Sequence, residues 1–161
     1  MTVEELSRMA NRLRLDVVET VHTAGDGHPG PCMSIADVMA VLFFEELRLD
    51  PQNPRWIERD RFILSKGHAC PILYAALARR GYFPVEELGG LRSLGSFLQG
   101  HPDMNKVPGV DTVSGSLGNG ISFVLGRALG CHYHETDNHV YVIAGDGEQE
   151  EGVIWEAAMA A

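Results

Sequence analysis

The sequence predicts an α/β fold, a three-layer α/β/α arrangement with a doubly wound parallel sheet, on three observations. Val140-Tyr141-Val142-Ile143-Ala144 is an unbroken apolar run that stops at Gly145-Asp146-Gly147. Loss of alternation is what a strand covered on both faces produces. Arg61-Phe62-Ile63-Leu64-Ser65 is a second short strand candidate, followed by Lys66-Gly67-His68. Segments with helical spacing precede, separate and follow these two runs, the pattern of an α/β domain.

Thr2-Val3-Glu4-Glu5 has capping-box spacing, and Leu6, Met9, Ala10, Leu13, Val17 and Val21 recur every three or four residues. This predicts an amphipathic helix to about Thr23, ended by Gly25 and Gly27. Gly27-His28-Pro29-Gly30-Pro31 reads as a loop in which the prolines aim His28. Ser34-Ile35-Ala36-Asp37 repeats the capping-box pattern and predicts a second, well-buried helix to about Leu47. The segment 71–78 is helical, with proline tolerated in its first turn and Gly81 as its stop. A weak helix is expected over 84–88. From Gly89 to Gly115 no period is sustained, while Phe97, Leu98, Val107 and Val110 predict a loop that packs. A helix carrying Ile121, Val124, Leu125, Ala128 and Leu129 follows, and another opens near Glu150 with Val153, Ile154, Ala157 and Ala158.

The 161 residues suit one domain, and 45% apolar content suits a soluble globular one. A net charge of −9 argues against nucleic acid or an anionic membrane as partner. Cys32, Cys70 and Cys131 are odd in number and widely spaced, which fits a reducing cytoplasm better than a disulfide framework. No basic-then-apolar leader and no membrane-length apolar run is present.

The chemistry-bearing residues cluster at predicted strand ends and loops. Asp146 stands at the carboxyl end of the apolar run, where ligands collect in open α/β sheets. With glycines on both sides and a helix N-terminus just beyond, it could hold a divalent cation bridging to a phosphate. His28, His68 and His101 each follow a glycine; together they could bond hydroxyls and carbonyls and move protons near neutral pH. A zinc hydrolase ranks low, since no histidine pair has close metal-ligand spacing.

Gly27-His28-Pro29-Gly30, Asp60-Arg61-Phe62-Ile63-Leu64-Ser65-Lys66-Gly67-His68, Gly100-His101-Pro102, Gly115-Ser116-Leu117-Gly118-Asn119-Gly120 and Gly145-Asp146-Gly147-Glu148-Gln149-Glu150-Glu151-Gly152 resemble, in order and spacing, the amino-terminal portion of transketolases. The likeness covers nearly the whole chain and is greatest to the amino-terminal subunits of two-gene enzymes. It implies a thiamine diphosphate-binding fold, with 1–161 a single, incomplete diphosphate-binding domain. It also implies transfer of a two-carbon ketol unit from a ketose to an aldose, using thiamine diphosphate and Mg²⁺, for which Ca²⁺ or Mn²⁺ could substitute. Asp146 would ligate the metal and the Gly147 backbone would contact the diphosphate. His68 would lie near diphosphate and substrate, and His28 and His101 would bond substrate oxygens. Gly115 and Leu117 would line the cofactor pocket, while Glu151 and Glu156 would be interface acids coupling paired sites.

The family's second metal ligand, an asparagine after the next strand, has no counterpart here. The pyrimidine-binding domain with its activating glutamate is likewise outside the chain. The resemblance therefore implies a carboxy-terminal partner subunit within a homodimer of heterodimers, and sugar phosphate substrates. Alternatives are a deoxyxylulose-phosphate synthase-like enzyme, a dehydrogenase first component, or a non-catalytic truncated assembly module. A parallel sheet cut here is expected to leave an unpaired edge and an uncovered face.

Overall fold

The structure, a computed structural model, describes residues 1–161. Helix α1 (Val3–Ala24) opens on the expected capping box. Thr2 Oγ1 accepts from the Glu5 amide at 3.2 Å, and the Glu5 carboxylate accepts from the Thr2 amide at 2.7 Å. Gly25 ends the helix at φ 66°, a conformation that glycine enters without the usual side-chain clash.

The His28 segment departs from the expected loop. Pro29–Met33 forms a short helix α2 with His28 just before it. A first helical residue needs no N–H partner, so proline there starts a turn rather than breaking one. The second capping box does not form: Ser34 Oγ donates back to the Pro31 carbonyl at 3.1 Å. Helix α3 (Ala36–Val41) therefore starts without a side-chain cap and passes into a π-helical turn, Leu42–Glu46. Its burial is one-sided, with Met39, Ala40 and Phe43 enclosed and Val38 and Val41 exposed.

Strand β1 (Arg61–Leu64) leads through a 3₁₀ turn, Gly67–Ala69, into α4 (Cys70–Arg80), which Gly81 stops at φ 94°. Residues Cys70 to Ala78 of α4 are all buried, which makes it the central helix of the core. The weak helix expected over 84–88 is a 3₁₀ segment, Val85–Gly90. Residues 91–118 carry no helix or strand. That loop packs, as Leu98 and Val107 are enclosed and Phe97 meets Phe83 edge to face at 5.3 Å. Helix α5 (Asn119–Tyr133), strand β2 (Val140–Ile143), a 3₁₀ turn (Gly147–Glu150) and helix α6 (Gly152–Ala160) complete the chain. The last helix thus opens two residues later than its apolar spacing predicted.

The strands pair in parallel, from Arg61 opposite Val140 to Leu64 opposite Ile143. Side chains alternate across the sheet. Phe62 and Leu64, with Tyr141 and Ile143 against them, join the core that α1, α3 and α4 complete. The opposite face, carrying Ile63, meets α5. These are the three layers the sequence predicted. The buried β2 is not observed: all four of its residues are half-buried. Its single sheet neighbour is β1; α5 packs on it, and Phe123 and Leu129 of α5 and Trp155 and Met159 of α6 are exposed.

Two long-range contacts clamp the layers. Asp16 of α1 is buried and accepts two hydrogen bonds from Arg79 of α4, both at 2.7 Å. Gly120, in the first turn of α5, sits directly on the end of β1. A β-carbon there would lie 2.2 Å from Ser65 Oγ and 2.7 Å from Ser65 Cα. Backbone cannot yield as a flexible side chain does, so Gly120→Ala is expected to cost about 1–3 kcal/mol. A denaturant titration of the assembled protein checks this, with an unchanged midpoint as the contrary result.

Candidate functional site

The two strands end side by side, the Ser65 amide donating to the Ile143 carbonyl at 2.9 Å. Whatever follows each strand is thereby delivered to one rim. Lys66, Gly67 and His68 follow β1, and Gly145, Asp146 and Gly147 follow β2. A cavity of about 480 Å³ opens there, and its walls include His28, Lys66, His68, Leu117, Gly145, Asp146, Gly147 and Glu148. His28 arrives from the start of α2, its ring 5.3 Å from that of His68 and inclined at 63°. Five of the residues singled out in the sequence, His28, His68, Leu117, Asp146 and Gly147, thus meet on one surface.

His101 and Gly115 stand beside this cavity rather than in its wall. A β-carbon at Gly115 would lie 3.5 Å from the His101 ring. Glu151 and Glu156 are exposed, and the Glu151 side chain starts beside Gly118. Glu151 occupies the position before α6 without a side-chain cap bond.

Burial works against the charged form of two side chains at the rim, His68 and Lys66. Burial, then the charges of His28, Lys66 and His101, hold His68 below the ordinary imidazole value, with Glu148 opposing. Burial likewise lowers the Lys66 ammonium, while Cys32, Asp146 and Glu148 work against the shift. Lys66 Nζ donates to the Pro31 carbonyl at 3.1 Å and thereby joins β1 to α2. Burial pushes the Cys32 thiol up to about 11 and the Cys70 thiol to about 12, so neither is a nucleophile near neutral pH.

Lys66 and Glu148 lie within the motifs named above, yet the sequence assigned them no role. Glu148 is only 2% exposed. One carboxylate oxygen accepts from Ser65 Oγ at 2.5 Å and the Gly118 amide at 2.7 Å, and the other accepts from the Gly145 amide at 2.9 Å. Three donors satisfy the buried charge and tie the end of β1, the glycine-rich turn before α5 and the end of β2 into one unit. Ser65 and Gly118 are 83 and 30 residues away, so no local pattern could announce the contact.

The cavity suits a diphosphate with a divalent cation. Asp146 is exposed on its wall, and nothing lies within 4 Å of where a β-carbon of Gly147 would be. An anionic group can therefore approach that backbone closely, with the Lys66 ammonium on the same wall. No group of three or more His, Cys, Asp or Glu is arranged to hold a metal. Asp146 would then be one ligand among phosphate oxygens and water, a mode that suits Mg²⁺. No helix is long and apolar enough to cross a membrane.

The chain is similar to known proteins. Residues 6–161 match the family model described as transketolase, thiamine diphosphate binding domain. The chain is 48% identical over 155 residues to the 6-deoxy-6-sulfo-D-fructose transketolase subunit SqwG of Clostridium sp., covering 96% of this chain and 56% of that protein. It is 41% identical over 160 residues to an apulose-4-phosphate transketolase subunit of Phocaeicola vulgatus, covering 99% of this chain and 57% of the other. Among solved structures, transketolase from Campylobacter jejuni superposes with a TM-score of 0.94 at 34% identity, covering all of this chain and 26% of that one. The chain thus spans just over half the length of these two subunits and about a quarter of the Campylobacter protein.

Proposed function

Because this chain belongs to the transketolase family, as a thiamine diphosphate-binding domain, we propose that it forms the diphosphate-binding part of an enzyme that moves a two-carbon ketol unit from a ketose to an aldose. The reading rests on one observation above the others, the meeting of His28, His68, Asp146 and Gly147 at the joined ends of two parallel strands. A carboxy-terminal subunit bearing the pyrimidine-binding domain would complete the site in a homodimer of heterodimers. The subunit names of two relatives support that partner. Glu151 and Glu156, both exposed, would couple the paired sites across such an interface. Three free cysteines fit a cytoplasmic setting.

In this reading Asp146 ligates Mg²⁺, and the Gly147 backbone and His68 hold the diphosphate. Leu117 and Gly115 shape the pocket around the cofactor's rings. Bound thiamine diphosphate contributes carbanion stabilisation, which permits cleavage of the carbon–carbon bond beside a ketose carbonyl. His28 and His101 bond the sugar's hydroxyl and carbonyl oxygens and relay protons there, a role that a neutral imidazole fills as donor or acceptor. Glu148 holds the two strand ends in register beneath them. The relatives' names include a sulfosugar and a sugar phosphate, which supports anionic sugars, sugar phosphates among them, as substrates.

Turnover by the assembled protein tests the assignment. Ketose plus aldose should be converted and pyruvate left untouched; consumption of pyruvate would move the chain to the deoxyxylulose-phosphate synthase-like or dehydrogenase reading. His28→Ala and His101→Ala should each lower kcat/KM by about a hundredfold with cofactor affinity retained. Unchanged kinetics would remove both histidines from the machinery.

The pH dependence has a defined sign. His68 is held below the ordinary imidazole value, so it stays neutral to lower pH than a free histidine. The acid limb of kcat/KM should fall below about pH 6.5. Lys66→Met removes a positive charge from beside His68, and whatever activity remains should show that limb moved to higher pH. The unfolded chain takes up the His68 proton at higher pH than the folded one. Native stability from this group is therefore lost as pH falls through the unfolded value.

A further inference from the structure

At the opposite end of β1 lies a larger cavity, about 750 Å³, between the 53–61 segment, the 104–111 loop and the middle of α5. Helix α5 starts against Ser65 and runs back along the sheet, which carries Arg127 to the strand's beginning. The cavity is within the size range of small-ligand sites. Only three of its fourteen lining residues are hydrophobic, which argues against an apolar ligand.

Its charge is lopsided. Arg55, Arg59, Arg61, Lys106 and Arg127 line it against one acid, Asp111, in a chain whose net charge is −9. Asp111 is already saturated. Its oxygens take Arg59 Nη1 at 3.0 Å, Arg59 Nη2 at 2.6 Å and the Phe62 amide at 2.9 Å, with Arg61 Nη1 at 3.6 Å. Arg61 spends its other nitrogen on the Trp56 and Ile57 carbonyls, and Arg127 reaches the Asp111 carbonyl at 3.3 Å. Carbonyls satisfy donors but cancel no charge. Burial, then the nearby Arg59 charge, lowers the Arg61 guanidinium; Asp111 opposes this and Arg127 adds to it. Arg55, Lys106 and Arg127 are exposed, so their placement serves no core packing, and of the three only Lys106 has a carboxylate near it, Asp103 at 3.9 Å.

We propose that this cavity is a binding site for a small phosphate-bearing anion, separate from the rim that carries His68 and Asp146. Guanidinium groups with unspent donors match the tetrahedral oxygens of a phosphate dianion and favour it over a carboxylate of single charge. The inference stands whether or not the chain is part of a ketol transferase.

The test uses the assembled protein saturated with Mg²⁺ and thiamine diphosphate, so that the diphosphate part of the rim is filled, and binding at the sugar end is told apart by its persistence in the variants. Inorganic phosphate and glucose 6-phosphate are titrated separately by calorimetry, with chloride at matched ionic strength as the control. Saturable binding is expected, weakened at least tenfold in Arg55→Ser/Lys106→Ser/Arg127→Ser. Tighter binding of the ester would assign the cavity to an organic phosphate, and equal binding to the free ion. Should the triple variant not fold, Arg127→Gln alone should weaken binding severalfold. No saturable binding by the unsubstituted protein, or equal affinity in the folded variant, would overturn the proposal.

Discussion

Replacing Asp146 by Asn should lower Mg²⁺-dependent affinity for thiamine diphosphate by about a hundredfold or more, while leaving the thermal midpoint of the unliganded protein unchanged. The carboxylate is exposed on the cavity wall, so the fold does not depend on it. The amide keeps the shape but loses the charge that draws a hard cation. Glu148, the other acid in that wall, cannot replace it. Its oxygens are occupied by Ser65 Oγ and two backbone amides, and turning them outward would orphan all three donors. Cofactor titration of the assembled protein, with Mg²⁺ and then with chelator, measures the loss. Affinity retained in the variant would sink the ligand role of Asp146, and a loss confined to the Mg²⁺ titration would exclude a non-catalytic assembly module.

The largest stability effect is expected at Asp111, far from that rim. Asp111→Ala leaves Arg59, 5% exposed, and Arg61, 12% exposed, without their counter-charge, and it strips the Phe62 amide of its acceptor. Breaking a buried pair from one side costs roughly 3–5 kcal/mol. For a protein of this size that lowers the melting midpoint by about 10 °C. Asp37→Ala is the contrast: it breaks an ion pair to Arg14 in which Asp37 is 70% exposed. Its midpoint should move by less than about 2 °C. Equal shifts for the two variants in a thermal melt would show that burial of the Arg59–Asp111 pair is not what sets its worth.

Legibility followed the range of the interaction. The capping box of α1, the glycine stops of α1 and α4 and both strands depend on neighbours within a few residues, and each formed where expected. The second capping box failed because Ser34 closes α2 with helical backbone angles (φ −62°, ψ −23°) and turns its hydroxyl back to the Pro31 carbonyl, whereas an N-cap needs extended backbone; that conflict opens only once α2 exists. His28, His68 and Asp146 were legible as candidates because each follows a glycine in a loop or strand-end motif. The sequence could not say that His28 and His68 would stand 5.3 Å apart while His101 would rest against Gly115.

By itself the sequence determined the α/β class, the position of the strands, the capped start of α1 and the glycine stops of α1 and α4, since periodicity, capping and left-handed glycines act locally. Only the tertiary structure decided how the strand ends are locked, because Glu148 gathers donors from 83 and 30 residues away. It alone set the charge of the far cavity, where Asp111 is spent on Arg59, 52 residues distant. It also decided the fate of β2, whose apolar run promised burial that its single sheet neighbour and the exposed sides of α5 and α6 do not supply. An apolar pattern states what a segment would bury; how much it does bury depends on which surfaces the fold brings against it.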